Sequence, residues 1–344
     1  MGNCLKTQKK SVSEINPFSP SEIKSFFPFE SSEGFDKGSP AALKPVVKLY
    51  GPPNNAATFY IRFALLYKPV SLTFNHSDIV ESPVMYYGSD VISGSVETML
   101  RYLDSKFPNP PLLPKSGSFG WYDGTTPLMV WLLTLQHRSM IWHLERMARW
   151  AEDLASRGGK TRGDPVMGSP RMEMKKFGRN YSQLMEMLLE HARMEERVVF
   201  PILEEADRGL CKAAQEEHAR DLPMLNGIKE DIKSIGVLDT GTPSYQEALS
   251  NLVNRFKKLK NQCKEHFKEE ERDLLPYMEA AELSKSQQGK VLEQCLDAMR
   301  ETHTHLFRFF MEGLLPQDGI QYLDMIIKCS ENNRATLMLH MFVE

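Results

Sequence analysis

The spacing of apolar and polar positions changes character several times along the chain. Residues 1–43 mix Ser, Pro, Lys and Phe without a sustained period and predict a flexible tail. Residues 44–110 break into short runs. VVKLY (46–50) is β-rich, PPNN (52–55) is a turn, ATFYIRFALLY (57–67) has helical spacing, and VSLTF (70–74) alternates like a strand. PVMYY (83–87) and DVIS (90–93) flank Gly88-Ser89, a hairpin signal, and SVETMLRYLDSKF (95–107) is an amphipathic helix. The predicted order is β-α-β-β-β-α. PLLPKSGSFGWYDGTT follows, and its Pro, Gly and Ser make 111–126 a linker.

From Pro127 the period is helical almost to the end. Val130, Leu133, His137, Met140, Leu144, Met147, Ala151 and Leu154 share one face. Leu184, Leu188, His191, Glu195 and Val198 form a second stripe, and Cys211, Ala214, His218, Leu222 and Leu225 a third. Leu252, Phe256, Leu259, Cys263, His266 and Glu270 form the fourth. These stripes predict an up-down four-helix bundle over 127–281. Beyond it lies a helical extension, 282–344. In that extension Ser284 and Gln287 read as a capping box opening a helix to about Gly313. Pro316 starts another helix and Ser330 a last one. The fold class is mainly α, preceded by a small α/β module.

Each of the four stripes carries a histidine, and two add a glutamate one turn later. Residues four apart share a helix face, so His191 with Glu195, and His266 with Glu270, reach one point. The two segments also repeat without a gap: HARMEERVVFPILEEA (191–206) matches HFKEEERDLLPYMEAA (266–281) at His, Glu, Glu, Arg, Pro, Glu and Ala. In each copy the proline is expected to end or kink the helix after the ligand turn.

A carboxylate in a bundle core is heavily penalised unless paired or bound to a cation. Arg197 and Arg272 stand two residues on and face elsewhere. Four imidazoles and two carboxylates make a nitrogen–oxygen donor set suited to Fe, Mn or Zn, and two bridging-capable carboxylates favour two ions. Glu196 and Glu271 lie one residue off the stripe and are expected to be solvated, with Glu271 an alternative to Glu270. His143 reads as structural, His303 and His305 as non-ligands, His76 as a loop residue and His340 as terminal.

Charge and composition narrow the partners. The chain is 41% hydrophobic and 25% charged with net charge −3, which gives no electrostatic reason for nucleic acid. No apolar run reaches the eighteen or so residues of a membrane span. Scattered cysteines without a CxxC pair suggest reduced thiols in the cytoplasm or nucleus. Gly2 with Cys4 would suit myristoylation followed by palmitoylation, and Lys6, Lys9 and Lys10 would favour an anionic leaflet. Peripheral membrane association is therefore an expectation of the tail, although Lys6 stands where the acylation pattern has Ser or Thr.

The arrangement H…HxxxE…H…HxxxE resembles the hemerythrin-like, HHE cation-binding family over about residues 127–281. By that resemblance Glu195 and Glu270 bridge two irons, His137 and His191 cap one, and His218 and His266 cap the other. O2 would be a ligand of such a centre. Hemerythrin itself has HxxxH on its third helix, where this chain has His218 and Leu222. Together with the fourth-helix carboxylate four residues after its histidine, this resembles the iron-sensing branch found in eukaryotic ubiquitin-ligase subunits. The N-terminal module resembles the thioredoxin-like domain of glutathione S-transferases. Pro83 falls where that family keeps a cis-proline, and Ser95 where it binds the γ-glutamyl end of glutathione. Asn54, Asn55 and Ala56 stand where a thiol-activating residue would be expected. The expected function is non-haem di-iron binding, in sensing or handling iron, oxygen or reactive oxygen species. The alternatives are a metal-free adaptor that binds a protein through its N-terminal module or C-terminal helices, or a glutathione-dependent transferase.

Overall fold

The computed structural model describes residues 44–77, 79–113, 126–161 and 168–329. Gly2, Cys4, Ser330 and His340, with the expectations attached to them, lie outside those residues. The N-terminal module contains strands β1 (Val46–Gly51), β2 (Ser71–His76), β3 (Val84–Tyr87) and β4 (Asp90–Ile92). Helix α1 (Ala56–Leu66) follows β1, and α2 (Val96–Lys106) follows β4. The sheet order is β2-β1-β3-β4. β1 runs parallel to β2 and antiparallel to β3, and β3 and β4 form the hairpin turned at Gly88. His76 closes β2 rather than lying in a loop. Alternation works as the spacing requires: Val47 and Leu49 are buried while Val46 and Lys48 face out.

Local chemistry starts the helices of this module. Asn55 caps α1 by accepting from Thr58 N–H, and Ser95 caps α2 by accepting from Thr98 N–H. The Ser82–Pro83 bond is trans; among the described residues the cis bond is Asn109–Pro110. Buried Lys68 ties the module's end together, donating at 2.6 Å to Asp104 and to the carbonyls of Phe107 and Pro110. Asp104 in turn accepts from Leu112 N–H and Leu113 N–H, and Leu112 is fully buried.

The bundle consists of α3 (Leu128–Arg157), α4 (Pro170–Met194), α6 (Lys212–Val237) and α7 (Pro243–Glu269), with short α5 (Phe200–Ala206) between α4 and α6. Each long helix packs against two others in the ring α3–α4–α6–α7. One end of the bundle is sealed by aromatic rings, with Phe256 edge-on to Phe177 and Tyr181 at 5.4 Å. Burying each such ring is worth about 2–3 kcal/mol. The histidines occupy the other end.

Helix α3 is buried well beyond one stripe, because the extension covers its back: Met129, Leu132, Leu135, Ser139 and His143 are also buried. After the short α8 (Tyr277–Ala280) that ends the bundle segment, the extension runs from α9 (Lys285–Ala298) through α10 (Phe307–Glu312) to α11 (Pro316–Cys329). α11 lies between α1 and α3. Tyr60 donates to the Ile320 carbonyl, so the N-terminal module docks on the extension. No helix among the described residues is long and apolar enough to cross a membrane.

Three local expectations are corrected. The capping box at Ser284 and Gln287 is present, but the helix stops at Ala298 instead of Gly313. Buried Glu190 captures the backbone N–H groups of Glu301 and Thr302, which a continuing helix would have used internally. Leu222 is 44% exposed. Asp221, one residue earlier and about 100° round the helix, is half-buried instead. Pro201 does not end its helix, which runs on as α5, whereas at Pro276 the helix does end, with Leu275 and Pro276 forming a turn before the short helix Tyr277–Ala280. A π-helical turn precedes each, at Glu195–Val199 and Glu270–Leu274, with Leu275 N–H donating to the Glu270 carbonyl at 2.9 Å. The wider turn relieves the clash that a proline ring makes with the carbonyl four residues back.

Candidate metal centre

The π turns begin at the two glutamates of the repeat, and this is where the four helices converge. His137 comes from α3, His191 from α4, His218 from α6 and His266 from α7. Glu195 and Glu270 follow one turn after their histidines. Donor atoms of His137, His191, Glu195 and Glu270 all lie within 4.8 Å of one another, and so do those of Glu195, His218, His266 and Glu270. The two quartets share both carboxylates.

Each carboxylate divides its oxygens between the quartets. Glu195 Oε1 lies 3.2 Å from His191 Nε2, and Oε2 lies 3.4 Å from His218 Nε2. Glu270 Oε2 lies 3.5 Å from His137 Nε2, and Oε1 lies 3.4 Å from His266 Nε2. Within each quartet the imidazole Nε2 atoms stand 3.1 Å apart, so one ring must carry a proton toward the lone pair of the other.

The outer nitrogen of every ring is held. His137 Nδ1–H donates to Glu271 (2.9 Å), His191 to Gln136 Oε1 (3.0 Å), His218 to Glu196 (3.0 Å) and His266 to Glu217 (2.7 Å). Such partners fix a ring's tautomer and orientation, leaving Nε2 to point inward. Glu196 and Glu271 are partly exposed, as expected one residue off the stripe, but each anchors a histidine on another helix. Gln136 and Glu217 were not singled out by spacing. The signal lay in the repeat: the residue just before the first histidine of each half holds that half's second histidine. The second Glu of each Glu-Glu pair holds the first histidine of the other half. Phe267 closes the centre, stacked on His137 at 4.3 Å.

Burial and mutual charge divide the protons unequally. Burial opposes charge on His137, but contacts with Glu195 and Glu271 outweigh it and lift its pKa to about 9. His218 rises to about 9 in the same way: burial is outweighed chiefly by Glu195. Burial dominates at His191, which falls to about 4, and it also lowers His266. Glu195 is held well below the carboxylate range, since the surrounding imidazoles overcome its burial. Burial, then the neighbouring Glu195 charge, drives Glu270 well above that range.

The arrangement fits cations. Glu195 Oε2 and both Glu270 oxygens are buried without a hydrogen-bond partner, a costly state that a bound cation would relieve. The donors are imidazole nitrogen and carboxylate oxygen, with no thiolate: Cys211 and Cys263 are buried, and burial first of all pushes the Cys211 thiol up to about 12.

Other titratable residues lie elsewhere. His143 is buried behind α3 and donates to the Phe309 carbonyl at 2.7 Å. His305 sits at the surface in a group with Glu186 and Glu301. Ser95 lies in the N-terminal module, its hydroxyl engaged as the cap of α2.

Residues 128–278 match the family model described as Hemerythrin HHE cation binding domain, so the bundle is a hemerythrin domain and implies metal-cation binding. No curated protein and no solved structure matches the chain.

Proposed function

We propose that the hemerythrin domain binds two non-haem irons and serves in sensing or handling iron, oxygen or reactive oxygen species. The observation that carries this reading is the pair of overlapping quartets sharing Glu195 and Glu270. On this reading His137 and His191 hold one ion, His218 and His266 hold the other, and the two carboxylates bridge. Bound irons would supply one-electron chemistry and Lewis acidity. The protein's own part is to aim four Nε2 lone pairs inward, keep two carboxylates dehydrated, and give up the protons of His137 and His218 when a cation enters. Zn or Mn would suit the same donors.

Metal content tests the reading. Protein purified from iron-replete cells is expected to hold about two irons per chain, since each quartet offers a full nitrogen–oxygen donor set. That iron, with its visible ferric absorption, is expected to be lost in His191→Ala and Glu270→Ala. Absence of stoichiometric metal after anaerobic reconstitution would leave the bundle a scaffold and favour the adaptor reading.

For the N-terminal module we infer a thioredoxin-like docking unit. Its β-α-β-β-β-α order and single parallel strand pair support this. Glutathione affinity, compared between the native chain and Ser95→Ala, decides whether the module binds glutathione.

A further inference from the structure

Two successive residues of α4 reach out of the bundle into the C-terminal extension. Glu190 accepts from Glu301 N–H (3.0 Å) and from both the N–H and the hydroxyl of Thr302 (2.8 Å each). His191 reaches the extension through a buried relay of Gln136, Tyr322 and His303.

The direction of that relay follows from its far end. The Met299 carbonyl has no proton to give, so His303 Nδ1, 2.7 Å away, must carry one. In the neutral ring Nε2 is then a lone pair, and the Tyr322 hydroxyl donates to it at 2.6 Å. The Tyr322 oxygen can now only accept, and it faces Gln136 Nε2 at 3.4 Å, the longest link. With its NH2 group turned that way, Gln136 presents Oε1 to His191 Nδ1–H. His191 Nε2 is left as a lone pair facing Glu195.

We propose that Tyr322 and His303 are positioning residues of the metal centre: they orient the Gln136 amide and so fix the tautomer of His191. Both lie beyond the stretch that matches the hemerythrin model. The inference rests on His191 being a ligand. The other three histidines need no such relay, because Glu196, Glu217 and Glu271 accept equally well through either oxygen. An amide has one accepting end, and Gln136 is fully buried, where water cannot choose that end for it. A flipped amide would aim its NH2 group at Nδ1, moving the ring proton to Nε2, where a ligand needs its lone pair.

The test uses the full chain with Tyr322→Phe and two readouts. Nitrogen-15 NMR of the metal-free protein is expected to show the Nδ1–H tautomer of His191 in the native chain and a tautomer mixture in the variant. Competition between the protein and a chromophoric chelator for Zn2+ is expected to show about tenfold weaker binding, the usual scale for losing an outer-shell partner. Adding Gln136→Glu to Tyr322→Phe is expected to restore most of that affinity, since a carboxylate accepts from His191 whichever way it turns. An unchanged tautomer would overturn the proposal, as would an affinity loss that Gln136→Glu does not rescue. If Tyr322→Phe does not fold, Gln136→Leu interrupts the same link, and an unshifted His191 tautomer there overturns the proposal equally. A native chain that binds neither Zn2+ nor iron would refute the metal reading, while the tautomer readout, taken without metal, still decides the positioning role.

Discussion

Glu270 offers a test in which stability and function should move in opposite directions. Both its oxygens are buried without hydrogen-bond partners, and burial, then the Glu195 charge, pushes its carboxyl well above the carboxylate range. Each unsatisfied buried polar group costs about 1–3 kcal/mol. Replacing an unpartnered buried acid by an apolar side chain of similar length removes that penalty. Glu270→Met is therefore expected to stabilise the metal-free protein by about 2 kcal/mol. With about 2.1 cal/mol/K per residue taken over the described residues, that raises Tm by about 4 °C. Adding metal reverses the order. At a hundredfold excess over Kd a bound ion contributes about 2.7 kcal/mol to the native chain, or about 5 °C, and the variant has lost a shared ligand of both quartets. The assay is calorimetry of both proteins, stripped and then loaded with Zn2+. A variant less stable than native when stripped would show that the carboxyl is an ordinary structural element. A variant keeping the full metal-induced shift would show that Glu270 is not a ligand. Either result refutes the reasoning.

Three further outcomes follow from groups outside the centre. Burial holds the pKa of His143 well below that of a free imidazole, so below about pH 6.5 the unfolded chain binds one proton more than the folded one. The stability it contributes is present above that pH and lost progressively on acidification. Denaturant titrations should show a shallower acid decline for His143→Gln, whose amide can still donate to the Phe309 carbonyl; parallel pH profiles would contradict this. Glu190→Ala strands three donors of the 301–302 turn and is expected to cost about 3 kcal/mol, with faster hydrogen exchange concentrated in 299–306. Cys211, Cys263 and Cys295 are buried, so a thiol reagent should label them only on unfolding; rapid labelling of the native protein at any of them would show that site to be open.

Much of the centre was legible in the sequence because helical angle is a local property. Residues advance about 100° each, so HxxxE places its two side chains on one face whatever surrounds the helix. The gapless repeat of 191–206 onto 266–281 likewise marked two equivalent ligand turns, and the alternation in VVKLY and the hairpin at Gly88-Ser89 marked their strands. The cost of burying a carboxylate pointed to a cation before any contact was known.

Tertiary structure decided what depends on how each helix is rotated and covered. It left Leu222 of α6 exposed and Asp221 half-buried. It split the oxygens of Glu195 and Glu270 between two histidine pairs, and it turned Glu196 and Glu271 from surface charges into anchors on neighbouring helices. It ended α9 at Ala298, because Glu190, more than a hundred residues away, offered the backbone of 301–302 a better acceptor than the next turn. The link from His191 through Gln136 and Tyr322 to His303 has no counterpart in any local period. Its members meet only because α11 packs against the back of α3, and packing between distant segments is set by the shape of the whole core, not by the spacing within one helix.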